Sequence, residues 1–536
     1  MGNELQSLDY TVFLVYFIIV ASYGYWIYQR KKAAVTSAND FFLAEGALTW
    51  WAIGASLIAS NISAEQFIGM SGSGFAMGLA IASYEWMAAL TLIVVAVFFM
   101  PGYITNKIFT MPQFLEKRYS PLVATMMAVF WLLVYVFVNL TSILYLGAIA
   151  VSTISGFSFT ACAVFLAVFA IIITLGGMKV IGYTDVIQVA ILVLGGLATT
   201  YLALNLVADH FGGGGMMAGL SQLRKQAPEH FHMIFDRSNP HYKDLPGLTV
   251  LVGAMWIANL NYWGCNQYIT QRALGAKLET ARSGLLFASF LKLLMPIIVV
   301  IPGIAAYVLH QNGMFQSEMV NAAGEVKPDK AYPVLLNLLG PGLKGLSFAA
   351  LTAAIVASLA GKANSIATIF TLDLYKKYMN KAADESTQVR TGRVVIIVAM
   401  IIAILVAPQL QRLEQGFQFI QDFTGLISPG VVAIFVLGFF WKRATANAAL
   451  VAALVTIPLG LAIKTMMPDV PFLDRMGWVF LVLVALMAVI SLLDPKSKDN
   501  PKAMRVDAEM FRTSQNFAIG ALLIIGVLAA LYIVFW

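Results

Sequence analysis

The chain has 536 residues, of which 60% are hydrophobic and only 11% are charged. A soluble protein of this length would carry roughly 25% charged residues, so the composition excludes a soluble domain and indicates a multi-pass protein in a lipid bilayer. The net charge of +7 comes from basic residues in short loops, without a basic arm or stripe, and nucleic acid is therefore not an expected partner.

The predicted fold class is an all-α polytopic membrane protein with about 14 transmembrane helices. A helix needs about 20 apolar residues to cross the hydrocarbon core of a bilayer. Apolar runs of this kind occur at 10–28, 49–71, 80–104, 121–150, 158–176, 183–207, 249–271, 282–308, 343–373, 392–409, 417–440, 445–466, 475–493 and 517–536.

The basic residues of the short loops predict the orientation of these spans. They follow odd-numbered spans, for example Lys107 after the third, Arg272 after the seventh and Lys376 after the ninth. Because short loops rich in lysine and arginine stay in the cytoplasm, both termini are expected outside it.

Two spans are interrupted by polar residues. Span two contains "SNISAEQ" (60–66), and span seven contains "IANLNYWGCNQ" (257–267). The two spans are five apart, so the second block of five enters the membrane from the opposite side. This pattern predicts an inverted five-plus-five helix repeat whose first helices are discontinuous and contribute to a ligand site near the midplane. The alternative is a pair of kinks held by internal polar contacts, without any substrate.

Further polar residues lie inside other spans. Glu85 is in span three, Lys292 in span eight and Gln421 in span eleven. Charged residues at such depth are costly and usually face a bundle interior or a water-filled cavity. Together with amides and with aromatic residues such as Tyr84 and Phe417, they suit an uncharged polyhydroxy ligand. The alternative for the aromatic residues is an interfacial belt.

Four stretches carry a family resemblance: "NISAEQFIGMSGSG", "ASYEWM", "NQYITQRAL" and "FQFIQDFTGLISPG". They resemble the sodium/solute symporter family, and the likeness, which extends over nearly the whole chain, is to the bacterial branch that cotransports sodium with galactose or glucose. The resemblance implies a symporter of the bacterial inner (plasma) membrane that imports a neutral hexose by alternating access. It implies no enzymatic activity and no cofactor, with sodium as the coupling ion.

The resemblance also implies a division of the chain. The first helix and a cytoplasmic loop occupy 1–48, and the first five-helix repeat occupies 49–207. An outer loop at 208–248 precedes the inverted second repeat at 249–440, and three C-terminal helices occupy 441–536.

The substrate-site residues implied by the resemblance combine amide, charged and aromatic side chains: Asn61, Gln66, Met70, Tyr84, Glu85, Asn259, Tyr262, Trp263, Lys292, Phe417 and Gln421. In this set Tyr262 is expected to close the inner side of the pocket. The family has a serine three residues after the position of Glu85, where this chain has Ala88. A preference for galactose therefore does not carry over directly.

The implied sodium ligands are the carbonyl oxygens of Ala59, Ile62 and Ala354 and the hydroxyl of Ser358. Oxygen ligands suit a hard cation. A second hydroxyl, usual in the family, is missing because that position is Ala357.

Two charged residues are predicted to lie on the ion path. Asp185 matches an acidic residue that relatives place near the ion exit, the alternative being a carboxylate that stabilises a helix N-terminus. Lys362 follows Ser358 by about one helical turn and stands where relatives commonly have an uncharged residue. Its ammonium is predicted to point toward the ion site or toward Asp185 and to stand in for an ion. The alternative is that it extends to the cytoplasmic surface.

Three other functions remain open at this point. The first is a sodium-independent or proton-coupled sugar transporter with the same fold. The second is a symporter for another solute, such as myo-inositol. The third is an intramembrane enzyme, which is disfavoured because the sequence has no HExxH-type metal helix and no nucleophile elbow. The identity of the hexose is not predicted.

Overall fold

The computed structural model describes residues 5–31, 48–62, 65–175, 178–320, 324–412, 421, 423–498, 500–504 and 506–536. Across these residues the only β-structure is a single bridge between Val320 and Val326. Ten helices among the described residues are long and apolar enough to cross a membrane, and two shorter apolar helices cover 7–20 and 159–174. The predicted all-α, multi-pass membrane fold is confirmed. The count of fourteen spans stays a prediction.

The helices of the first half run from the N-terminus to the outer loop. They are α1 (Ser7–Lys31), α2 (Trp50–Asn61), α3 (Ser71–Met77), α4 (Ser83–Val94), α5 (Met100–Thr105), α6 (Met111–Arg118), α7 (Pro121–Leu133), α8 (Thr141–Ser155), α9 (Phe159–Thr174), α10 (Met178–His210) and α11 (Met216–Gln226).

The helices of the second half include the longest among the described residues, α15. They are α12 (Thr249–Val252), α13 (Ala254–Gly264), α14 (Gln267–Leu274), α15 (Leu278–Gln311), α16 (Ala331–Leu336), α17 (Leu343–Thr368), α18 (Glu385–Val406), α19 (Ser428–Phe440), α20 (Ala446–Met466), α21 (Phe472–Leu493) and α22 (Gln515–Val534).

Both predicted discontinuities are present. The helix α2 ends at Asn61, and the next residue has a ψ of 84°, outside the helical range. A π-helical turn at Glu65–Met70 then leads into α3. In the second half α13 ends at Gly264, and the side chain of Asn266 caps α14 by accepting a hydrogen bond from the amide of Tyr268. The assignment of the chain to two inverted repeats stays a prediction.

The broken helix α2 lies at the centre of the bundle, where it packs against α10, α14, α15 and α17. Its residues from Ala52 to Asn61 are all buried. Gly54 and Gly284 allow a close approach of α2 to α15, because a Cβ atom on Gly54 would lie 2.7 Å from the carbonyl oxygen of Gly284. This packing places the polar end of α2 beside four other helices.

Candidate functional site: a buried polar cavity and an adjoining ionic cluster

A cavity of about 70 Å³ lies between the break in α2 and the helices α4, α13, α15 and α21. Ten of the eleven residues predicted for the substrate site line this cavity: Asn61, Gln66, Met70, Tyr84, Glu85, Asn259, Tyr262, Trp263, Lys292 and Gln421. The eleventh, Phe417, lies outside the described residues.

Lys292 on α15 contacts residues from three other helices that line the cavity. Its side chain, 1% exposed, reaches from α15 to α4, where the ammonium lies 2.5 Å from the Glu85 carboxylate. The same nitrogen donates to the side-chain oxygen of Asn61 at the end of α2. It also lies 5.0 Å from the ring centroid of Trp263 on α13, a cation–π distance. One buried ammonium thus contacts residues of three other helices.

Aromatic and amide groups form the α13 wall. The rings of Tyr262 and Trp263 pack edge to face with centroids 5.1 Å apart. Asn261, which does not line the cavity, donates to the Ser428 hydroxyl at 2.9 Å and so holds α13 against α19. Ala88 lines the opposite wall with a methyl group where the family pattern has a hydroxyl.

Four lining residues with substantial side chains were missed by the sequence interpretation: Thr424, Ser428, Phe472 and Met476. The first two lie in the polar stretch after Gln421, so the motif that carries the resemblance already contained their signal. Phe472 and Met476 come from α21, which the division of the chain placed among the C-terminal helices. An apolar residue in an apolar helix carries no sequence signal that it faces a cavity.

The electrostatics of the cavity favour an uncharged ligand. Among its described lining residues the formal charges are those of Glu85 and Lys292, which neutralise each other. The remaining polar groups are amides and hydroxyls, which both donate and accept hydrogen bonds. Aromatic faces beside them can pack against C–H surfaces. The cavity can therefore bind a compact molecule with several hydroxyl groups.

The predicted sodium ligands lie where α2 meets α17. The Ser358 hydroxyl is 3.2 Å from the carbonyl oxygen of Ser60 and 3.4 Å from that of Ala59. Ala354 and Ala357 are buried on the same helix, and Ile62 is buried at the end of α2. The donor set is rich in oxygen and suits a hard cation. Sodium binding by these groups stays a prediction.

Asp185 is buried and bridges two helices. Its carboxylate accepts a hydrogen bond of 2.6 Å from Ser56 on α2. The Ser56 oxygen in turn accepts a hydrogen bond of 3.0 Å from Arg272 on α14. Asp185 lies about two turns inside α10, so the alternative that it stabilises the N-terminus of this helix is wrong.

The predicted position of Arg272 is also wrong. The sequence interpretation counted it as a cytoplasmic loop residue, but its side chain is 2% exposed and lies beside α2 and α17. Gly361 on α17 makes room for it, because a Cβ atom there would lie 2.6 Å from a guanidinium nitrogen. The absence of a side chain at position 361 is therefore what admits a buried arginine next to Asp185.

Lys362 is also buried, with 3% of the residue exposed, so the alternative that it extends to the surface is wrong. Its ammonium lies 3.8 Å from the ring centroid of Tyr268 and 4.6 Å from that of Tyr135. The side-chain oxygen of Asn139 is 3.4 Å away. These three groups form an aromatic and amide pocket around the charge.

A multi-pass helical protein with two broken helices beside a buried polar cavity has the architecture of a secondary transporter. The profile of the sodium:solute symporter family matches residues 41–456, which is more than half of the chain. The chain belongs to this family.

Individual relatives agree with this assignment. The chain is 48% identical to a sodium/glucose cotransporter of Vibrio parahaemolyticus, over all of this chain and 99% of the relative. It is 33% identical to the human sodium/myo-inositol cotransporter 2, over 85% of this chain and 70% of the relative. A solved structure of a sodium-coupled sialic acid symporter has the same fold, with a TM-score of 0.78 at 22% identity over 91% of this chain and 98% of the other.

Proposed function

We propose that the protein is a symporter that imports a neutral hexose of the galactose or glucose type together with sodium. The observation that carries this proposal is the cavity, in which amide, hydroxyl and aromatic groups surround one internally neutralised ion pair. The similarity to a sodium/glucose cotransporter over the full chain supports the same substrate class. The substrate site is proposed to comprise the ten lining residues predicted above, together with Phe417.

Transport is proposed to proceed by alternating access. Sodium binds the oxygens of Ala59, Ile62, Ala354 and Ser358 and thereby stabilises the contact between α2 and α17. The end of α2 carries Asn61, which contacts Lys292 in the cavity. An ion bound between α2 and α17 therefore affects the shape of the cavity. Because such coupling is reciprocal, sodium and hexose each bind better when the other is present.

The proposed location is the bacterial inner (plasma) membrane, with both termini outside the cytoplasm. This orientation is supported by the position of basic residues after odd-numbered spans. Lys107, Lys376 and Lys442, which follow three of these spans, are partly or fully exposed rather than buried.

A second candidate substrate is myo-inositol. Its support is the similarity to relatives named sodium/myo-inositol cotransporter 2. A cyclitol presents a ring of hydroxyl groups to the same amides and hydroxyls, and the neutral cavity does not distinguish it from a hexose by charge.

The test is uptake into proteoliposomes that contain the purified protein. An inward sodium gradient is expected to drive accumulation of labelled galactose or glucose above the level reached with choline. Unlabelled hexoses, myo-inositol and a sugar acid then compete with the label. Displacement by neutral hexoses supports the proposal, whereas preferential displacement by myo-inositol would favour the second candidate. The proposal would be overturned if none of these compounds displaced the labelled sugar, or if neither galactose nor glucose entered the vesicles.

The inner wall gives a further prediction. Replacing Tyr262 by alanine is expected to weaken hexose binding by roughly tenfold or more, because a lost contact of about 1.4 kcal/mol changes the affinity tenfold. Replacing it by phenylalanine keeps the aromatic face and is expected to cost less. Equilibrium binding to the purified variants measures both effects, and the exposed Tyr378, changed to alanine, is the matched control. Equal losses in the two Tyr262 variants would show that the hydroxyl, not the ring face, has the main role.

A further inference from the structure

An ionic cluster lies beside the predicted sodium ligands. Its described members with formal charges are Asp185, Arg272 and Lys362, all at most 3% exposed. Arg272 interacts with Asp185 through space and through Ser56. The Lys362 ammonium lies against two aromatic rings and one amide oxygen. Two cationic side chains and one carboxylate are thus buried near the contact between α2 and α17.

Tyr268 connects the Lys362 ammonium to the contact between α2 and α17. Its ring face receives the Lys362 ammonium at 3.8 Å. Its hydroxyl donates to the Ser60 carbonyl oxygen at 2.5 Å and lies 3.4 Å from the Ser358 carbonyl oxygen. One aromatic side chain thus contacts the ammonium on one surface and the two helices of the predicted sodium site at its tip.

Hydroxyl groups join α2 to α17 at the predicted sodium ligands. The Ser358 hydroxyl reaches the carbonyl oxygens of Ala59 and Ser60 directly, and the Tyr268 hydroxyl reaches Ser60 as well. Ala357, the neighbour of Ser358, carries no hydroxyl. Two like charges repel strongly at short range where water is scarce. A sodium ion bound by these oxygens would therefore be repelled by the Lys362 ammonium, which is about one helical turn from Ser358 on α17.

We propose that the Lys362 ammonium is a tethered cation that substitutes in part for the coupling ion. It orients Tyr268 so that α2 stays against α17, and it thereby supports hexose binding even where sodium is scarce. Lys362 is a positioning residue in this role, because it acts through Tyr268. The inference rests on the proposed function for its hexose readout, and a second readout below does not depend on the sugar.

The first experiment measures hexose binding to the purified protein in sodium and in choline. Coupling between two ligands is commonly about 5- to 150-fold in affinity, and the wild-type protein is expected to lie at or below the low end of this range. Changing Lys362 to methionine keeps the length of the side chain but removes its charge. This variant is expected to bind hexose at least about tenfold more weakly in choline and to recover in part in sodium.

The companion variants separate charge from packing. Lys362→Arg retains a cation and is expected to behave more like the wild type than Lys362→Met does. Lys362→Met combined with Ala357→Ser restores a hydroxyl ligand and is expected to show the largest sodium effect. Ala357→Ser alone is expected to increase the effect of sodium on hexose binding only slightly, because the ammonium is still present. Lys376→Met changes an exposed lysine on the same helical segment and is the matched control.

The second readout is the sodium-dependent shift in melting temperature, since a ligand that binds only the folded state stabilises it. The shift is expected to be small in the wild type and larger in the Lys362→Met, Ala357→Ser variant. The inference is overturned if the wild type shows a large sodium shift that Lys362→Met leaves unchanged. If the variants show the expected order of sodium shifts but no hexose binds, the proposed substrate is overturned. The tethered cation is supported in that case, because the melting temperature does not depend on the sugar.

Discussion

Replacing Glu85 by alanine is expected to abolish hexose uptake. The change removes a hydrogen-bonding group from the cavity and leaves the Lys292 ammonium, 1% exposed, without its carboxylate partner. A lost hydrogen bond to a charged group costs about 1.5–3 kcal/mol, or roughly ten- to a hundredfold in affinity. Breaking a buried ion pair by removing one partner also destabilises a protein by about 3–5 kcal/mol. Equilibrium hexose binding and thermal unfolding of the purified variant measure the two effects separately.

Two controls distinguish a binding role from a structural one. Glu85→Gln combined with Lys292→Met removes both charges at once and is expected to recover stability without recovering hexose affinity. Glu385→Ala changes an exposed carboxylate and is expected to be neutral. A Glu85→Ala protein that binds hexose with wild-type affinity would contradict the assignment of the cavity as the substrate site.

The same reasoning predicts that Gln66→Ala causes a large loss of hexose affinity, without the loss of stability.

Replacing Asp185 by alanine is expected to have the next largest effect. The substitution removes the acceptor of the Ser56 hydrogen bond and a carboxylate that offsets the charge of Arg272. An uncompensated buried charge costs about 3–5 kcal/mol, so the melting temperature is expected to fall. Hexose uptake is expected to fall at least about tenfold, since the contact of α2 with α10 and α14 depends on this network. Uptake assays and thermal unfolding of the purified variant measure both effects.

The double variant Asp185→Ala, Arg272→Met removes the carboxylate together with the cation. It is expected to recover stability but not uptake, which separates an ion-path role from a merely structural one. Asp209→Ala, an exposed carboxylate on the same helix, is the matched control. Wild-type uptake by Asp185→Ala would show that the carboxylate is not needed on the ion path.

The residues of the cavity were predictable because a polar group inside an apolar span is costly unless it faces a partner or a ligand. Glu85 and Lys292 are 207 positions apart, yet each was marked by its position in an otherwise apolar run. Asn61 and Asn259 were marked in the same way by breaks in two spans. The family resemblance then assigned these isolated signals to one site.

The errors have equally specific causes. Arg272 follows an apolar run, and a rule based on basic residues near span ends cannot separate a buried arginine from one in a loop. Its burial depends on the separate helix α14 and on the space left by Gly361. Met476 was missed because an apolar residue has the same hydropathy whether it faces lipid, a neighbouring helix or a cavity.

The sequence by itself determined that the protein is an all-α membrane protein, that two of its helices are broken and which polar residues lie within the spans. These properties follow from local hydropathy and from the cost of polar groups in hydrocarbon. Only the tertiary structure decided what those polar residues contact. The ammonium of Lys362 lies against Tyr135 and Tyr268, which are 227 and 94 positions away from it. Contacts of this kind depend on how α8, α14 and α17 and the π-helical segment before α8 pack in three dimensions, and no local pattern encodes that packing.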